Sequence, residues 1–66
     1  MNKKEIRNKI LGTSLEDVLA DLGSSLEVAH KNDDVLASIA LAADINSLNR
    51  IIDMFTEAEY EAEVEG

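Results

Sequence analysis

The stretch Val35–Phe55, VLASIALAADINSLNRIIDMF, constrains the fold more than any other part of the chain. Leu41, Ile45, Leu48, Ile52 and Phe55 recur at alternating spacings of four and three, which keeps their side chains on one side of an α-helix. A second row, Leu36, Ala40, Ala43, Ser47, Ile51 and Met54, lies well round the helix from this seam and is built of small residues in its first half. Asn46, Asn49, Arg50 and Asp53 fill the remaining arc, so the helix is amphipathic with a wide apolar side. One neighbouring helix is too narrow to cover both rows.

Size makes that shortfall matter. A chain of 66 residues buries a modest fraction of its surface and is marginally stable alone. Cysteine is absent, which removes disulfides and zinc–thiolate sites together and leaves self-association as the available staple. Aromatic residues are confined to Phe55 and Tyr60 and proline is absent, a composition suited to helices of Leu, Ile and Ala. The expected fold class is all-α: a short N-terminal helix followed by an antiparallel αα-hairpin that assembles as a dimeric helical bundle.

Along the chain, Ile6 and Ile10 fall four apart within NKKEIRNKIL, with Gly12 as a C′ residue, predicting a helix over 2–11. Its basic residues read as a solvated face, or alternatively as a docking patch for the acidic tail of a neighbouring subunit. Thr13 with Glu16, or Ser14 with Asp17, forms a capping-box pattern opening a second helix over about 14–31. Leu15, Val18, Leu19, Leu22, Leu26 and Ala29 continue in register across Gly23, which favours one continuous helix over two. Asn32, Asp33 and Asp34 suit a turn and the N-cap of a third helix over about 34–57. From Thr56 to Gly66 glutamate alternates with other residues. Like charges and opposition to the helix dipole suggest a fraying or disordered tail over 56–66, outside a single helical domain of residues 1–55.

Charge is divided between the ends. Residues 1–12 carry four basic and one acidic side chain, whereas residues 56–66 carry five glutamates and no base. The net charge of −8 repels phosphate and so argues against direct binding of nucleic acid or anionic lipid. No apolar run reaches the roughly 20 residues that cross a bilayer, and no signal-peptide core follows the N-terminal lysines, so the cytoplasm is the expected location and no membrane partner is expected.

Catalytic and metal chemistry find little footing. His30 is the single histidine and stands in a polar connection with no nucleophile pattern around it. Asn32, Asp33 and Asp34 lack the ligand spacing of an EF-hand, and the three glycines are too far apart for a phosphate loop. The chain reads as a non-enzyme with no cofactor and no built metal site.

What remains is binding. Leu36, Ala40, Ala43, Ile51 and Met54 are the candidate oligomer or partner interface. Glu16, Asp17, Asp21, Glu27, Asp33, Asp34, Glu57, Glu59, Glu61 and Glu63 are the candidate acidic surface for a protein with a basic face. Small size, strong acidity and no active site are shared with phage and mobile-element inhibitors and antitoxins, an analogy of composition only. The alternative expectation is a self-assembling adaptor or scaffold with no inhibitory target.

Overall fold

The computed structural model describes residues 1–66, and they form an all-helical chain without strands. Helix α1 spans Lys3–Ile10, α2 spans Glu16–Lys31 and α3 spans Val35–Glu65; a five-residue kinked link, Leu11–Leu15, joins α1 to α2. The molecule measures 50 × 17 × 13 Å. Its length is close to that of α3 alone, about 46 Å at 1.5 Å per residue, and α1 and α2 each pack on α3 and follow one another along it.

Both α1 and α2 therefore lie along α3. The chain turns back at Asn32–Asp34, where Asp33 takes the left-handed conformation (φ 54°) and Asp34 caps α3, its Oδ1 accepting the Ala37 amide at 3.1 Å. Asp34 and Asp33 amides close the turn by donating to the carbonyls of Ala29 and His30. The far end is marked by ion pairs running in the opposite chain sense on the two sides: the Met1 amino group to Glu63, Lys3 to Glu57, and Arg7 to Asp53.

Four residues are buried: Ile6 of α1, Ala29 of α2, and Ile52 and Thr56 of α3. Leu15, Leu19, Leu22 and Leu26 are half-buried on the α2 side, as are Leu41, Ile45 and Leu48 on α3. A two-helix cross-section has one contact line, so its apolar residues cannot be enclosed from all sides. α2 crosses Gly23 without a break, and a Cβ added there would meet nothing within 4 Å.

Three sequence expectations are corrected. Phe55 does not complete the seam: it is 60% exposed, and Thr56 is buried instead. A strict alternation of fours and threes drifts around a straight 3.6-residue helix by about 20° per heptad, and beyond Asn49 the neighbour of α3 is α1 rather than α2. The buried row accordingly passes through Ile52, Thr56 and half-buried Tyr60. Thr56 tolerates burial because its Oγ1 donates to the Ile52 carbonyl at 2.7 Å.

The second correction concerns the link between α1 and α2. Gly12 is not the left-handed residue; Ser14 is, at φ 94°. Thr13 does not cap α2, because its Oγ1 donates backwards to the Ile10 carbonyl at 2.6 Å, and the N-cap position falls on Leu15 with no side-chain bond. Helical geometry is interrupted at Thr13 (φ −94°, ψ 25°) and Ser14, so α1 and α2 are two helices separated by a kink, with the left-handed residue two positions beyond Gly12 and no capping box at the restart.

The third concerns the acidic end, which is helical through Glu65 rather than frayed or disordered. Alanine and glutamate are strong helix formers, and the basic face of α1 answers part of the like-charge repulsion. Lys3 bonds Glu57 at 2.8 Å and its Nζ stands 5.1 Å from the centre of the Tyr60 ring. The attraction between basic and acidic ends thus operates within one chain.

Candidate interaction surface

At 100° per residue, the row Leu36, Ala40, Ala43, Ser47, Ile51 and Met54 lies about 160° round α3 from its buried row. Every member is exposed, with Leu36 at 82%, Met54 at 65% and Ile51 at 48%. Ala58 continues the row, and Ile51, Met54, Phe55 and Ala58 line a shallow, wholly apolar depression. Val35 and Ile39 widen the exposed apolar surface at the other end of α3. α1 covers none of the five interface candidates; it lies instead over Ile52, Asp53, Thr56 and Glu57.

The ten acidic candidates do not form one continuous strip of equivalent groups. All are exposed, but Glu57 and Glu63 are engaged by Lys3 and the Met1 amino group, and Asp34 serves as a helix cap. Asp33 sits in the turn, while Glu16, Asp17, Asp21 and Glu27 are distributed along α2. Glu59 and Glu61 make no ion pair within the chain.

A polar cluster absent from the sequence reading lies between α1 and α3. The Arg7 guanidinium donates to Asp53 Oδ1 at 2.9 Å and to Asn49 Oδ1 at 3.2 Å. Asn49 and Asp53 are four apart and so share a helix face, which was legible; that Arg7 would reach them depends on the bend at Ser14. The Lys3 ammonium is held protonated to higher pH than an ordinary lysine, first by its hydrogen bond to Glu57 and then by the charge of that carboxylate.

His30 and Asp33 border an open depression at the turn with Val35, Ser38 and Ile39. The Ser38 hydroxyl is committed to the Asp34 carbonyl at 2.8 Å, as a helical serine commonly is, and no base is aligned on it. No three His, Cys, Asp or Glu side chains converge as metal ligands.

One 18-residue window of α3 reaches a mean hydropathy of 1.3 with at most two charged residues, so by length and composition the helix is able to span a bilayer. Asp44, Asn46, Asn49 and Arg50 interrupt its apolar run, and an aspartate or arginine near a span centre costs about 2.5–3.5 kcal/mol on insertion scales. No protein-family model, curated protein or solved structure matches the chain.

Proposed function

We propose that this chain is a small non-enzymatic protein-binding module that works as a homo-oligomer, a dimer of helical hairpins being the favoured form, and blocks a basic surface on a partner protein in the manner of phage-type inhibitors and antitoxins. The observation that carries the reading is the uncovered apolar face of α3 in a chain with four buried residues. Exposed contiguous apolar surface on a small protein marks an association site. The free carboxylates on α2 and at Glu59 and Glu61 supply the charge for a basic partner, and the cytoplasm is the matching compartment.

Affinity capture from the native host, with the eluate compared at low and high ionic strength, tests this reading. A captured basic protein whose affinity falls steeply with salt, and falls again in a Glu59→Gln/Glu61→Gln variant, is the expected result. Binding indifferent to both salt and charge neutralisation would refute the acidic-surface mechanism. A self-assembling adaptor without an inhibitory target is the second reading, favoured by the apolar face alone; it predicts assembly and no captured partner.

A further inference from the structure

We infer that the outer face of α3 is the contact for a second copy of this chain, the two α3 helices packing antiparallel with Ser47 on the twofold axis. The inference deepens the binding-module reading by naming what the apolar face receives.

Area is the first support. The chain exposes 4917 Å², whereas a compact monomer of its 7.2 kDa exposes about 4,100 Å² by the usual mass scaling. The excess, about 800 Å², equals what one partner contributes to a standard stable interface. The molecule carries one partner's worth of unburied surface, and its large apolar side chains lie mainly on α3.

Side-chain sizes along the face then choose the partner and its direction. With Ser47 on the axis, Leu36 meets Ala58 of the second copy, Ala40 meets Met54, and Ala43 meets Ile51. Every large side chain faces a small one along the whole contact, which lets two helices close to about 8–9 Å without voids. A parallel pair would set Leu36, Ile51 and Met54 each against its own copy and alanine against alanine, holding the backbones apart where the alanines leave gaps.

Electrostatics agree. Glu61 and Glu65 continue the same row beyond Ala58. A parallel pair would place them against their own copies and add two five-glutamate ends together, whereas the antiparallel pair puts those ends at opposite poles. Asp44 and Arg50 flank the row on opposite sides, each about 60° from its centre, which puts both charges at the rim of the contact.

Sedimentation equilibrium of the full chain at micromolar concentration tests the pairing. A mass twice 7.2 kDa is expected, returning to 7.2 kDa in Ala43→Arg with helical circular dichroism retained, since residue 43 is exposed. The native chain has no cysteine, so single cysteines report direction. Ser47→Cys should cross-link to itself on mild oxidation. Ala40→Cys alone should not, because the two copies of residue 40 stand about 21 Å apart along the axis, whereas a mixture of Ala40→Cys and Met54→Cys should. A monomeric wild-type chain overturns the inference, as do a dimer indifferent to Ala43→Arg and self-cross-linking of Ala40→Cys. A monomer that floats with phosphatidylcholine vesicles also overturns it, giving the face to lipid. A monomer that still captures a basic protein defeats this inference and the homo-oligomer part of the proposed function, and leaves only the acidic-surface binding in place.

Discussion

Replacing Ile6 by alanine should release α1 and, with it, the end of α3. Ile6 is 1% exposed and is the sole buried side chain of α1, so the substitution removes most of what seats that helix. A buried Ile→Ala change costs about 2–5 kcal/mol. The remaining attachments are half-buried Ile10, three solvent-exposed ion pairs of the kind that contribute little, and the Arg7–Asn49 hydrogen bond. They cannot offset that loss in a chain whose total stability at this length is about 3–10 kcal/mol. Amide hydrogen exchange in Ile6→Ala should show lost protection over residues 3–10 and 53–65, with residues 16–52 retaining theirs. Added salt should deepen the loss, because screening weakens the surviving pairs. Unchanged protection over 53–65 would refute the claim that docked α1 keeps the acidic end helical, and uniform loss along the whole chain would refute the separation of the two ends.

Gly23→Ala should raise stability by about 0.5–1 kcal/mol in urea titration, since the site is helical with ordinary backbone angles and has open space around the added Cβ. Ser14→Gly relieves a left-handed conformation that costs an L-residue about 1–2 kcal/mol, against a Gly entropy cost of about 0.5–1 kcal/mol, so a small rise in melting temperature is expected. Lys3 has a folded pKa above its ordinary 10.5, so its contribution is complete below that pH and is lost as pH rises through the raised value. Lys3→Met should flatten this alkaline loosening of α1, read as exchange protection near Ile6.

The sequence determined that the chain is helical, that α2 passes through Gly23, and that α3 carries more apolar surface than one neighbour can cover. Each follows from local propensity and periodicity, which act over a few turns and are written in residues such as Leu41, Ile45 and Leu48. Tertiary structure decided where the buried row of α3 goes after Asn49, that Thr56 rather than Phe55 is enclosed, and that Lys3 and Arg7 meet Glu57 and Asp53 of the same chain. It also decided that the five interface candidates stay uncovered while Glu57 and Glu63 are spent within the chain. These outcomes turn on the direction in which α1 leaves the bend at Thr13 and Ser14. That direction rests on one left-handed serine, a backbone state that residue type does not announce, and it alone brings the basic first helix alongside the acidic end of the third.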